Sequence, residues 1–212
     1  MFKTVMPLSA ILSLRFFGLF LVLPVLSAYA LTLQGATPLL IGVIVGGYAL
    51  TQTIFQLPFG IMSDKIGRKP TLLIGLIIFL VGSIICAVST DIYTLMFGRF
   101  LQGSGAIGAV IPAMISDLVS EEKRGKAMAL MGGTIAISFA LAMGMGPVIA
   151  AHYGIGSLFL IAGGLSILSM LVLFTKVPTP PRIHHIYHLQ STTPAIIKNP
   201  NILNNIVING IQ

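Results

Sequence analysis

The sequence predicts an all-α membrane protein: a six-transmembrane-helix bundle built of two inverted three-helix repeats, followed by the start of a truncated seventh helix. Three observations predict it. Of 212 residues, 56% are hydrophobic and only 8% charged, against roughly a quarter charged in soluble domains. Six apolar segments reach the roughly 20 residues needed to cross a hydrocarbon core: 7–30, 38–62, 71–90, 92–117, 124–151 and 155–175. The charges gather in the short connections between them, and the basic ones fall on alternate connections.

The first segment must be told from a secretion signal. Lys3 and Arg15 precede apolar residues, and Ala28-Tyr29-Ala30 mimics a small-residue cleavage site. Pro24 interrupts the run and five further spans follow, so 7–30 reads as the first span. Connection 31–37 is uncharged. After 38–62, the turn 63–70 carries Asp64, Lys65, Arg68 and Lys69. After 71–90 comes Asp91 alone. After 92–117, the connection 118–126 holds Glu121, Glu122, Lys123, Arg124 and Lys126; after 124–151, the turn 152–154 holds only His152. Lys176, Arg182 and Lys198 follow the sixth span.

Ten of the twelve Lys and Arg lie at the N-terminus or in the second, fourth and sixth connections; Arg15 and Arg99 lie inside spans. This asymmetry puts the N-terminus and the 63–70 turn on the cytoplasmic side of a lipid bilayer. It also accounts for the net charge of +7 without a nucleic-acid partner. The single cysteine, Cys86, allows no internal disulfide. His184 and His188 are spaced i, i+4 but have no Cys or carboxylate nearby to complete a metal shell. No phosphate-binding loop of Walker type and no catalytic constellation is present. The expectation is therefore no enzyme, no cofactor and no metal.

Small residues recur at helical spacing. Gly42 and Gly46 form a GxxxG pair, and Gly132, Ala136, Ala140 and Gly144 make a stripe down the fifth span. Such stripes are expected to let neighbouring helix backbones approach. Arg15-Phe16 in span 1 and Arg99-Phe100 in span 4 hint at a repeat of opposite orientation. Pro178, Pro180 and Pro181 stop the sixth helix. The expected organisation is a bundle over 1–176, a cytoplasmic linker over 177–200, and the start of a seventh span over 201–212.

Three motifs carry a resemblance. Gly60-x-x-x-Asp64-Lys65-x-Gly67-Arg68-Lys69 resembles motif A of the major facilitator superfamily, between helices 2 and 3. Arg99-Phe-Leu-Gln102-Gly103-Ser-Gly105 resembles its motif B on helix 4. Ala142-Met-Gly144-Met-Gly146-Pro147-Val-Ile-Ala150-Ala151 is similar to its motif C, the antiporter motif, with Ala142, Ala150 and Ala151 where glycines are usual. The likeness covers nearly the whole chain and points to the bacterial inner-membrane, proton-coupled drug and small-molecule efflux type. In that family the motif A aspartate, here Asp64, meets the positive end of a helix in the second half of the transporter and latches the cytoplasmic side.

The residues add their own readings. Gly60 has no side chain, so a neighbouring helix is expected to come close there. Asp64 and Asp117 lie at matching depth, and Arg68 can reach either. Arg99 lies deep in its span and is a functional candidate with Gln102, one turn on; the resemblance implies a role in proton coupling or in bracing helix 4 against helix 1, and a structural arginine bonded to carbonyls is the alternative. Arg15 is nearer the cytoplasmic side and is expected to snorkel, with a coupling role beside Arg99 and Gln102 the alternative. Pro147, with Gly144 and Gly146, predicts a hinge in span 5. Tyr48, Gln52 and Gln56, spaced i, i+4 on helix 2, are candidates for a substrate cavity, with interhelical hydrogen bonds the alternative. No carboxylate lies in the middle of a span, so a proton-binding acid is Asp64, Asp117, or a residue outside this chain. The expected activity is transport of a small-molecule substrate by alternating access, coupled to protons and in the export direction. Solute uptake, of a sugar for example, is the alternative. A truncated membrane remnant, or a subunit that needs a second chain or a C-terminal six-helix half, is the alternative of another class.

Overall fold

The computed structural model describes residues 2–177, and helices fill nearly all of that stretch. They are α1 (Phe2–Ala30), α2 (Pro38–Lys65), α3 (Arg68–Ala87), α4 (Ile92–Ser104), α5 (Val110–Leu118), α6 (Glu121–Tyr153) and α7 (Ile155–Lys176). Five are long and apolar enough to cross a membrane. The sixth crossing is shared by α4 and α5. The linker, His184, His188 and the start of a seventh span lie outside the described residues.

Two boundaries correct the sequence reading. The stretch 92–117 is not one continuous helix, because residues 105–109 interrupt it. There the Ala106 and Ile107 amides donate two residues back, to Ser104 and Gly105. Pro112 has no N–H with which to bond back to Gly108. A hydrophobic run shows none of this, because the break is as apolar as its flanks. The second correction concerns connection 118–126. Helix α6 starts at Glu121, so the charged residues 121–126 form its first turns, with Glu121 and Glu122 at the positive end of the helix dipole.

The packing has an internal symmetry. Helix α1 packs mainly on α6 and α7, α3 on α4 and α7, and α2 on α4. Exchanging the α4–α5 crossing for α1, α6 for α2 and α7 for α3 maps this pattern onto itself. The two inverted three-helix repeats are thus visible in which helices touch. Backbones meet most closely where glycine leaves room. A Cβ at Gly82 of α3 would lie 2.7 Å from the Gln102 amide of α4. One at Gly103 would strike the Tyr48 carbonyl of α2, and one at Gly146 of α6 the Leu21 carbonyl of α1.

The glycine pair and stripe read from the sequence play a different part. A Cβ built on Gly42, Gly46, Gly132 or Gly144 meets nothing within 4 Å, and Ala136 and Ala140 are exposed. These small residues face out of the bundle. Helices α2 and α6 are the least covered of the long helices, with 17% and 11% of their apolar windows buried against 56% for α1.

At the weakly charged end, Asp91 caps α4. Its carboxylate accepts from the Tyr93 and Thr94 amides at 3.0 and 2.9 Å and from the Thr94 hydroxyl at 2.6 Å. The Thr94 hydroxyl, foremost, and the Thr94 amide hold the Asp91 carboxyl below its usual range. The Ile92 amide donates to Gln34, tying the first and third connections together.

Candidate functional site

The charged end of the bundle is built by a very short turn. Helix α2 ends at Lys65 and α3 starts at Arg68, leaving only Ile66 and Gly67 between them. Gly67 has φ +104°, where a side chain would be strained. The turn brings Arg68 back over the end of α2. Its Nη1 lies 2.8 Å from Asp64 Oδ1, and its Nε lies 2.9 Å from Asp117 Oδ2 on the last turn of α5. The Arg68 Nη1 also donates to the Ser63 hydroxyl, which in turn donates to the Gly60 carbonyl at 2.7 Å.

Arg68 therefore joins three helix ends in one clamp, and it reaches both carboxylates rather than one of them. Its guanidinium is 13% exposed, Asp117 20% and Asp64 35%. Asp64 is the member open to a further partner. Lys65 and Lys69 make no ion pair among the described residues. Gly60 departs from expectation: a Cβ there would meet nothing within 4 Å, so no helix of this bundle approaches it. Its carbonyl, bonded to Ser63, is what the clamp uses. Ser63 was not singled out from the sequence. Its signal is a lone small hydroxyl beside Asp64 in the last turn of an otherwise apolar helix.

A second polar group lies deep in the bundle. Arg99 on α4 and Arg15 on α1 are each 1% exposed. Arg99 Nη1 donates to Gln102 Oε1 at 2.9 Å, and Gln102 Nε2 donates to the Ser83 hydroxyl at 2.8 Å. The Ser83 hydroxyl itself donates to the Phe79 carbonyl at 2.7 Å. The Arg99 guanidinium lies 5.0 Å from the Tyr48 ring centre. The network expected around Arg99 and Gln102 is present, and it recruits Ser83 of α3, which the sequence did not single out.

Arg15 does not snorkel. Its guanidinium lies 5.2 Å from the Phe79 ring centre, and its Nη2 donates to the Gln102 carbonyl at 3.5 Å. An aromatic face and a carbonyl at the end of α4 hold it inside. The link from α4 to α1 is thus made by Arg15 rather than by Arg99.

The three cavity candidates on α2 part company. Tyr48 is buried against Arg99, Gln52 is half-buried, and Gln56 is exposed. An open apolar groove on this helix is lined instead by Leu39, Gly42, Val43, Gly46 and Leu50, together with Phe100 of α4. In α6 the helix continues through Pro147 to Tyr153. Gly146 gives close approach to α1, while Gly144 faces open space. Among the described residues no group of three or more His, Cys, Asp or Glu could hold a metal.

Comparison with known proteins places this geometry. A family model described as Major Facilitator Superfamily matches residues 8–209. The inner membrane transport protein YajR of Escherichia coli K12 is 51% identical over 152 residues, which is 72% of this chain and 34% of that protein. An uncharacterized transporter of Buchnera aphidicola subsp. Acyrthosiphon pisum is 47% identical over 165 residues, 78% of this chain and 42% of that protein. The chain thus spans less than half the length of these relatives. Among solved structures, a D-xylose-proton symporter superposes with a TM-score of 0.75 at 19% identity, covering 98% of this chain and 54% of the symporter. That likeness speaks for the fold.

Proposed function

This chain belongs to the major facilitator superfamily, and we propose that its bundle forms one wall of an alternating-access transporter that exports small molecules across the bacterial inner membrane in exchange for protons. The carrying observation is the Arg68 clamp. It ties the ends of α2, α3 and α5 on one membrane face and leaves Asp64 as its most exposed member. An acid held at a helix end, with an outward aspect, suits a latch to a second bundle. The outward-facing small residues of α2 and α6 suit a surface along which that bundle moves. The export direction is supported by the motif C-like Gly146-Pro147 of α6. The charged end is the cytoplasmic one, as is the N-terminus, because the basic connections lie there. Protons are taken up at Asp64 or Asp117, or at an acid of the second bundle, since the middle of these spans has no carboxylate. The partners are the bilayer, the substrate, the proton and a C-terminal six-helix half or second chain.

Thiol labelling tests the latch. Cys86 is the only cysteine, so Cys86→Ser gives a clean background. A reporter cysteine replaces Leu57, which is exposed near the charged end of α2. Asp64→Asn is expected to speed labelling by a membrane-impermeant maleimide from the cytoplasmic side several-fold. Labelling unchanged by Asp64→Asn and by Asp117→Asn, with normal membrane levels, overturns the latch.

A further inference from the structure

The two buried arginines have no counter-charge. The chain has five Asp and Glu residues, and each lies at a helix end: Asp64 in the last turn of α2, Asp91 capping α4, Asp117 ending α5, Glu121 and Glu122 opening α6. Arg15 and Arg99 both converge on Gln102, one on its backbone carbonyl and one on its amide oxygen. Neither is saturated. Among the described residues, Arg15 Nε and Nη1 and Arg99 Nε are buried without a partner, and so is the Tyr48 hydroxyl. A single guanidinium bonded to carbonyls can be a structural bolt. Two of them, sharing one neutral partner and keeping three unmet donor atoms, leave charge and hydrogen-bonding capacity that the bundle does not match.

We propose that Arg15 and Arg99 form an anion subsite that takes the carboxylate of a small aromatic organic acid. The class follows from the surroundings. Planar guanidinium forks match a carboxylate better than a spherical ion. The walls are aromatic: Phe79 faces Arg15, Tyr48 faces Arg99, and Phe16 and Phe20 pack against the same layer. On α2 the oxygens of half-buried Gln52 and of Tyr48, one turn apart, are also unpartnered among the described residues, and the Tyr48 ring centre lies 5.0 Å from the Arg99 guanidinium. Tyr48, lying over Arg99, moves aside when the acid binds. The inference rests on the transport reading only in making this acid the substrate; the binding site stands by itself.

The test is equilibrium binding to the purified full chain in detergent, read as the midpoint of thermal unfolding. The probes are three near-isosteres: benzoate (anion), benzamide (neutral) and benzamidine (cation). Benzoate at millimolar concentration is expected to raise the midpoint by about 3 °C or more, as a ligand bound only by the folded state does. The other two are expected to leave it in place. Gln102→Glu would put a built-in carboxylate between the two guanidiniums. That variant should fold with an equal or higher midpoint and lose the benzoate shift. Arg99→Lys and Arg15→Lys, which keep the charge and lose the fork, should reduce it by at least half. Equal shifts with all three probes, no shift with benzoate, or a benzoate shift that survives Gln102→Glu would overturn the site. A benzoate shift lost in Gln102→Glu, together with maleimide labelling unmoved by Asp64→Asn and by Asp117→Asn, sinks the latch and keeps the anion site. The converse pattern does the opposite.

Discussion

Arg68 stands at the charged end of the bundle between two carboxylates and a hydroxyl. Arg99, in the interior, has an amide oxygen and an aromatic face and no acid. The same side chain thus meets two dielectric regimes. At the membrane edge, water screens the charges and the ion pairs chiefly set geometry. Inside, each missing bond is expensive, and a neutral partner such as Gln102 takes on great weight. Partial exposure makes each bond of Arg68 cheap to lose, whereas burial makes each bond of Arg99 costly.

The interior arginine is most vulnerable at Gln102. Gln102→Leu strands Arg99 Nη1 and the Ser83 bond together. Removing one partner of a buried charge costs about 3–5 kcal/mol, so this variant should unfold at much lower denaturant than the parent in mild detergent. A loss below about 1 kcal/mol would mean that the interior treats Arg99 as leniently as the edge treats Arg68. Asp117→Asn comes next. It weakens the one clamp bond that reaches α5, and a loss of about 1–2 kcal/mol is expected by the same denaturation measurement. Asp64→Asn is smaller still, below about 1 kcal/mol, because Asp64 is the more exposed partner and Arg68 keeps Asp117 and Ser63. In a double-mutant cycle the two clamp substitutions should couple, since they share one guanidinium; strict additivity would show that Arg68 holds only one acid at a time.

The smallest effect belongs to Asp91. Its hydrogen bonds, that from the Thr94 hydroxyl foremost, hold the folded-state carboxyl below the ordinary aspartate value of 3.8. The stabilisation is therefore complete above that value and disappears as pH falls through the lowered folded one. Thermal midpoints taken between pH 5 and pH 2 should drop more steeply for the parent than for Asp91→Asn. Identical slopes would remove Asp91 from the acid response.

The sequence carried the architecture well and the facing of side chains poorly. Six spans, the alternation of basic connections and the reach of Arg68 to Asp64 or Asp117 were readable because charge in a membrane is confined to few places. The break at 105–109 was not, since hydropathy cannot see where an amide turns to bond two residues back. Gly42, Gly46, Gly132 and Gly144 have the right spacing for close packing, yet spacing fixes which residues share a face and not what that face meets. Gly82, Gly103 and Gly146, which do meet a backbone, look no different in the sequence. Arg15 seemed able to reach the surface by length alone. The Phe79 ring that keeps it inside lies on another helix, sixty-four residues later in the chain.

The Arg68 clamp also sets a timetable for synthesis. Asp64 and Arg68 emerge from the ribosome almost together and can pair as soon as the α2–α3 hairpin enters the bilayer. Asp117 comes 49 residues after Arg68, which at about 5–20 residues per second is a delay of several seconds. During that interval the Asp64–Arg68 pair already offsets one of the turn's three positive charges at the membrane edge. The arrival of α5 then exchanges a provisional two-helix contact for the final three-helix one. A nascent chain stalled before Asp117 should thus be inserted with its clamp incomplete, held by Asp64 and Ser63 alone.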